Sequence, residues 1–295
     1  MGFVVTEMQE NRVGWGEKWP APAKLNLMLR ITGRRPDGYH LLQTVFQIID
    51  LCDWIIFHPA EDGRVFLRNP IPGVPEQDDL TVRAANLLKE YAGCTSGVCI
   101  EVEKNLPMGG GLGGGSSDAA TTLVVLNELW DLKLPVQKLM ELGLQLGADV
   151  PVFVYGYTAW GEGVGEQLRP IVIPEQWVVV IKPDCHVNTK QIFLAKELTR
   201  DSKTITMRDF LAGDSRNDCL PVVSKMYRAI EEAMDALSMY AEARLTGTGA
   251  CVFAQFDSEE SARDAYSALS EKWSVYLAKG LSRSPLYGKL GQGSV

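Results

Sequence analysis

The residues with the strongest chemical signature run Leu106-Pro107-Met108-Gly109-Gly110-Gly111-Leu112-Gly113-Gly114-Gly115-Ser116-Ser117-Asp118-Ala119-Ala120. Six glycines in the seven positions from Gly109 to Gly115 strip the backbone of side-chain cover, so a ligand can lie directly against its N–H groups. Glycine also tolerates positive φ, which lets successive N–H groups converge into an anion-binding nest. Ala119, Ala120, Leu123, Leu126 and Trp130 then recur at three- and four-residue spacing and predict an amphipathic helix, with Ser116 or Ser117 as its N-cap. A glycine loop that feeds a helix N-terminus offers unsatisfied donors and the positive end of a dipole, which is the chemistry of phosphate binding. A flexible linker is the ordinary alternative, but linkers are not usually followed at once by a capped helix.

Several phosphate-loop types fail on this stretch. Gly109, Gly111 and Gly114 match the dinucleotide pattern G-x-G-x-x-G, but that pattern needs a strand running straight into its first glycine. Here Lys104-Asn105-Leu106-Pro107 intervenes, and Pro107 cannot donate to a central ladder. The acidic residue that a nicotinamide-dependent oxidoreductase places at the end of a second strand is also lacking, since Glu128 and Asp131 fall at the end of the first helix. Walker A needs a lysine before its serine, and Gly115 precedes Ser116 directly. The H-R-D and D-F-G signatures of protein kinases do not occur.

Two lone charges could act beside such a loop. Lys24 stands among apolar residues in Pro22-Ala23-Lys24-Leu25-Asn26-Leu27, where a snorkelling surface lysine is the ordinary reading. Asp149 is a single carboxylate in Gly147-Ala148-Asp149-Val150-Pro151, within an apolar run that continues to Val154. Burying it unpaired is costly, so it is a helix cap, a paired group or a functional one.

The elements that must position these residues follow from periodicity. Leu25, Leu27, Leu29 and Ile31 alternate with Asn26, Met28 and Arg30 as in a half-buried strand. Further strands are expected over 45–49, 54–58, 64–68, 98–103, 177–182 and 274–278, and on either side of Leu245-Thr246-Gly247-Thr248-Gly249. Helices are expected over 80–91, from Pro135 to a C-terminal stop at Gly147, and over 189–198 and 222–237. Another is opened by a capping box at Asp257-Ser258-Glu259-Glu260 and runs to Leu269. Irregular alternation of strands and helices predicts an α+β fold with mixed sheets rather than strict βαβ winding. Residues 1–18 show no periodicity and read as an extension; residues after Pro285 are rich in glycine and serine and read as a frayed tail over 287–295.

With 295 residues, 46% hydrophobic and 22% charged, the composition is that of a globular protein with room for two modest domains. A net charge of −8 without a basic run argues against nucleic acid. It also requires the positive field for a phosphate ligand to be made locally. The six scattered cysteines contain no C-x-x-C pair and read as small core residues in a reducing cytoplasm. Signal-peptide character and a membrane-length apolar run are both absent, so the reading is a cytoplasmic protein without a membrane partner. Met1-Gly2-Phe3-Val4-Val5-Thr6 matches the loose myristoylation pattern, which chance supplies often. The sequence leaves the oligomeric state open.

Three motifs in order carry a family resemblance: Pro22-Ala23-Lys24-Leu25-Asn26-Leu27, the glycine loop, and Leu245-Thr246-Gly247-Thr248-Gly249-Ala250-Cys251-Val252-Phe253, with Gly147-Ala148-Asp149-Val150-Pro151 between the last two. Together they resemble the GHMP kinase superfamily. Arg35-Pro36-Asp37-Gly38-Tyr39-His40 points to the branch that phosphorylates a cytidine-diphosphate-bearing alcohol of the non-mevalonate isoprenoid route. The match runs from about Trp19 to Leu286.

The resemblance implies a two-domain fold, with an ATP-binding domain over 19–165, a substrate domain over 166–286, and the active site in the cleft between them. It implies ATP as donor, Mg²⁺ carried by the ATP phosphates rather than by a protein metal site, and transfer to a tertiary hydroxyl. By matching position Lys24 and Asp149 become catalytic. Lys104 contacts the nucleotide near its adenine, and Pro107, Gly109, Gly110, Gly111, Leu112, Gly113, Gly114, Gly115, Ser116 and Ser117 form the ATP loop. Tyr39, His40, Phe46 and Phe193 bind cytidine, with Asn26 and Thr189 lining the same cleft. Asp79 and Asp118 stand where some relatives carry asparagine. Another GHMP kinase with a different small alcohol is the nearest alternative; Asp37-Gly38-Tyr39-His40 and Phe193 favour a nucleobase.

Overall fold

The computed structural model describes residues 14–291. In chain order the elements are β1 (Lys18–Arg34), β2 (His40–Ala60), β3 (Val65–Leu67), α1 (Leu80–Ala92), β4 (Gly97–Glu103), α2 (Gly114–Leu129), α3 (Val136–Leu146), α4 (Val150–Tyr155), β5 (Ala159–Glu162) and β6 (Gln167–Pro170). They continue with β7 (Trp177–Lys182), α5 (Thr189–Leu194), α6 (Met207–Leu211), α7 (Leu220–Met226), α8 (Arg228–Ser238), β8 (Arg244–Leu245), β9 (Val252–Phe256), α9 (Glu259–Ser270), β10 (Ser274–Leu281) and α10 (Pro285–Lys289). The chain divides into two compact units interleaved in sequence. One comprises Asp53–Asn105, Gly115–Tyr155 and the described part of Met1–Ala21; the other comprises Pro22–Cys52, Leu106–Gly114 and the described part of Gly156–Val295.

In the first unit the second half of β2 pairs antiparallel with β4, from Trp54 opposite Glu103 to Ala60 opposite Gly97. Short β3 runs parallel to β4. Helices α1 and α3 pack together, α3 packs on α4, and α1 also lies on β3 and β4. Asp79 opens α1: its carboxylate accepts from the Thr81 and Val82 N–H groups and from the Thr81 hydroxyl, an N-cap that accounts for a buried acid at this position.

In the second unit the first half of β2 pairs with β5 and, at Ile48 and Ile49, with β10. From β10 the sheet continues antiparallel through β7 and β9 to β8. The four-residue buried run Val178–Ile181 of β7 is explained by two cores of this unit. Val178 and Val180 join Ala23, Leu25, Leu27, Leu106, Leu112 and Trp160, whereas Val179 and Ile181 join Leu29, Ile31, Ile230, Leu237 and Ala265. A strand buried on both faces does not alternate in polarity.

Double burial also corrects the reading of β1. Its alternation predicts one wet face, but Asn26, Met28 and Arg30 are as buried as the leucines between them, and each polar side chain has hydrogen-bond partners. Helix α2 is likewise not amphipathic: every residue from Ser117 to Asn127 is buried. It begins at Gly114, so Ser116 and Ser117 lie inside its first turn and are not its N-cap. The helix expected over 222–237 breaks at Tyr227 into α7 and α8. Helix α9 is capped by Ser258 through the Ser261 N–H without the reciprocal glutamate contact; the complete capping box is Thr206 with Asp209 on α6.

The described residues near both ends are better anchored than the composition implies. The extension is expected over 1–18, of which 1–13 lie outside the described residues. Gly16 N–H donates to Phe57 O at 2.9 Å, Trp19 Nε1 to Gly14 O at 3.1 Å, and Lys18 pairs with Glu103 at 2.7 Å. At the other end the frayed tail is expected over 287–295, of which 292–295 lie outside the described residues; Pro285–Lys289 is helical, with Leu286 and Tyr287 buried and Ser284 capping through the Leu286 N–H. Truncation after Leu286 removes the Tyr287 ring from its seat against Gly156. Loss of a buried aromatic costs about 3–5 kcal/mol, so the truncated protein should melt several degrees lower in a thermal scan. An unchanged melting temperature would show that the ring contributes little.

Candidate active site

The glycine loop is pinned by its leucines. Leu106 and Leu112 are 4% and 1% exposed and belong to the core that holds Ala23, Leu25 and Phe253. Between them the backbone is tied to the third motif: Cys251 N–H donates to Gly110 O at 3.0 Å and Thr246 Oγ1 to Gly111 O at 3.4 Å. Gly111 has φ +77, and a Cβ there would lie 2.6 Å from Thr246 O, so only glycine lets the two segments approach this closely. The first motif closes the loop from the other side. Lys24 N–H donates to Leu112 O at 3.0 Å, and Lys24 Nζ donates to Gly111 O at 3.0 Å and to Asn26 Oδ1 at 2.5 Å.

Lys24 is 2% exposed and therefore not a snorkelling surface lysine. Its ammonium stands 5.7 Å from the centre of the Phe46 ring, itself 2% exposed. Phe46 thus lies beneath Lys24 as a packed ring, and its proposed cytidine contact has no exposed face in this structure. Asn26 is held through Thr246 Oγ1, which accepts its backbone N–H at 3.0 Å, and Thr44 Oγ1, which accepts from Nδ2 at 2.8 Å. Asn217 Nδ2 donates to both Leu245 O and Gly247 O and so fixes the turn of the third motif. Thr189, exposed at the start of α5, shares a 2.9 Å hydroxyl contact with Thr248.

Two of the aromatic candidates meet. His40 stacks on Phe193 with ring centroids 4.9 Å apart and planes 25° from parallel. Arg200, for which the sequence carries no signal, braces both. Its Nε donates to His40 Nε2 at 3.3 Å, and its Nη2 donates to Phe193 O at 2.9 Å and Ala195 O at 2.7 Å. Burial, then the Arg200 and Arg34 charges, hold the His40 imidazole below the usual histidine range. It is therefore neutral at pH 7; with Nε2 accepting, Nδ1 carries the proton. Tyr39 is 61% exposed at the end of a turn closed by Arg35 N–H on Tyr39 O. The aromatic partner that Phe193 has here is His40.

In the first unit, Gly147 ends α3 in an extended conformation, and a Cβ there would lie 3.8 Å from Ser116 Oγ. The Gly147-Ala148-Asp149 segment thus passes beside the opening turn of α2, with Asp149 half-buried just before α4. In the same unit Lys104 is bound by two acids, Asp118 and Asp53. Asp53 is fully buried. A lone carboxylate in the run Leu51-Cys52-Asp53-Trp54-Ile55 is the same signal that marks Asp149. The wide groove between α1 and α3, about 760 Å³ and lined by Glu76, Arg83, Asn86, Glu90 and Gln145, contains none of the predicted site residues. Among the described residues no helix is long and apolar enough to cross a membrane.

Comparison with known proteins agrees with these motifs. Residues 79–157 match the GHMP kinases N terminal domain and residues 197–275 the GHMP kinases C terminal model. The 4-diphosphocytidyl-2-C-methyl-D-erythritol kinase of Methylococcus capsulatus is 58% identical over 274 residues, covering 92% of this chain and 94% of that protein. The kinase of the same name from Nitrosococcus oceani is 53% identical over 91% of this chain and 96% of its own. A crystal structure of 4-(cytidine 5'-diphospho)-2C-methyl-D-erythritol kinase superposes with TM-score 0.78 at 30% identity, over 90% of this chain and 99% of that one. The mevalonate kinase of Methanococcus jannaschii shares the fold at 16% identity and TM-score 0.69, over 92% of this chain and all of the other. The chain is an α+β, ATP-dependent small-molecule kinase and belongs to the GHMP kinase superfamily, within the family of the 4-diphosphocytidyl-2-C-methyl-D-erythritol kinases.

Proposed function

We propose that this kinase transfers the ATP γ-phosphate to the 2-hydroxyl of 4-diphosphocytidyl-2-C-methyl-D-erythritol. The observation that carries the reading is the convergence of the first and third motifs on the glycine loop, with the Lys24 ammonium bonded to the loop's own carbonyl at Gly111. The loop amides from Gly109 to Gly115 hold the phosphates, and the start of α2 at Ser116 and Ser117 adds its dipole. Phosphoryl transfer passes through a loose transition state, so positioning and charge neutralisation account for most of the catalysis. Asp149 accepts the hydroxyl proton as the new phosphorus–oxygen bond forms and the bond to the ADP leaving oxygen breaks. Lys24 stabilises the negative charge that develops on the attacking oxygen.

A magnesium ion fits this site as a passenger of the ATP phosphates. The buried Ser117 Oγ, without a hydrogen-bond partner at the start of α2, is a protein oxygen available to such an ion. When bound, the ion neutralises phosphate charge.

The cytosine is read by His40 and Phe193, whose stacked rings Arg200 holds in place, with Tyr39 closing over the base. Neutral His40 has Nδ1–H to offer to an acceptor on the base edge. Stacking is worth roughly 1–3 kcal/mol per base, so Phe193→Ala should raise KM for the cytidine substrate by about ten- to a hundredfold and leave KM for ATP in place. A rise in KM for ATP instead would assign Phe193 to the nucleotide. The reading as a whole is tested by following ADP release with each candidate alcohol. Turnover with the cytidine diphosphate substrate is expected, and turnover only with mevalonate, homoserine or galactose would overturn it.

A further inference from the structure

Three charged side chains of the first unit form a closed cluster at the start of α2. Lys104 Nζ donates to Asp118 Oδ2 at 2.7 Å and to Asp53 Oδ2. The two acids are served unequally. Asp53 is fully buried and its second oxygen accepts the Asn105 N–H at 2.6 Å. Asp118 is 3% exposed, and its Oδ1 is sealed from solvent with no hydrogen-bond partner. The lysine side chain keeps 22% of its surface exposed, so the ammonium is the member of the cluster that a ligand can reach.

One lysine cannot balance two buried carboxylates, and a buried ionised oxygen without a donor is costly. The cost is relieved by a proton on the acid that is served less well. The charged groups that face Asp118 agree with this assignment: Lys104 at the end of β4, Asp53 from β2 and Asp79 from the start of α1. Burial pushes the Asp118 carboxyl up to about 7, with Lys104 opposing and the two other acids adding to the push. With the proton present the cluster is neutral and Lys104 is committed chiefly to Asp53. Without it the cluster carries one net negative charge, and the ammonium is shared between two anions.

We propose that Asp53 and Asp118 are positioning residues for ATP, Asp53 as the charged post that aims the Lys104 ammonium and Asp118 as the member whose proton occupancy sets the charge the nucleotide meets. This rests on Lys104 lying against the nucleotide. The test is KM for ATP and kcat from about pH 6 to about pH 8.5. It uses the full-length kinase and its Lys104→Met, Asp53→Asn and Asp118→Asn variants.

Lys104→Met should raise KM for ATP about tenfold, the loss of one charge-assisted contact. Asp53→Asn should raise it about three- to tenfold with kcat moving less than KM. In the wild type KM should climb about threefold across the pH range as the cluster gains its negative charge, and in Asp118→Asn that climb should disappear. A purely structural role would lower the melting temperature and leave the climb in place. If Lys104→Met weakens ATP while Asp118→Asn keeps the wild-type pH dependence, the positioning proposal is overturned. If Lys104→Met leaves KM for ATP unchanged, it is the placement of Lys104 at the nucleotide that fails. Should Asp53→Asn not fold, the pH profile of Asp118→Asn decides alone.

Discussion

Asp149→Asn is expected to lower kcat by about 10²–10⁴-fold, the usual contribution of a general base, with little change in KM for either substrate. The substitution keeps the size and hydrogen-bonding capacity of the side chain just ahead of α4 and removes only its basicity. Lys24→Met should also lower kcat, because it removes the ammonium that bonds Gly111 O and Asn26 Oδ1 at the glycine loop. If both residues act on one hydroxyl in one step, the double variant loses far less than the product of the single losses. Near-normal turnover in Asp149→Asn would reduce the carboxylate to a structural group. Losses that multiply in the double variant would mean that the two residues contribute to separate steps.

The second large effect is expected at Gly113, which has φ +76. A β-branched residue is strongly disfavoured in that region, at a cost of about 1–2 kcal/mol for the backbone alone, and its methyl groups would crowd the amides proposed to hold phosphate. Gly113→Val should therefore weaken ATP binding by about a hundredfold or more in calorimetry. Gly113 is only partly buried, so the protein should remain folded by circular dichroism. A folded variant with wild-type ATP affinity would remove the loop from the phosphate site.

Local chemistry made much of this protein legible in the chain. The glycine loop, the stop at Gly147, the cap at Ser258 and the full extent of β7 follow from conformational preference and short-range patterning. The three motifs were visible because each depends on residues adjacent in sequence. Tertiary structure decided which of their faces are dry. Alternation in β1 reads as half-buried, and three- and four-residue spacing makes α2 read as amphipathic; Trp19–Ile31 and Ser117–Asn127 are nevertheless buried on every side, with polar groups such as Thr121 and Asp118 meeting Pro20 O and Lys104 on other segments. Asn26 is paired with Thr44 and Thr246, and Arg30 with Asp214 and Lys203 O. For the same reason the partners of Asp53 and Arg200 are not legible in the chain: Asp53 meets a lysine 51 residues away and Arg200 a histidine 160 residues away, separations that no local pattern encodes.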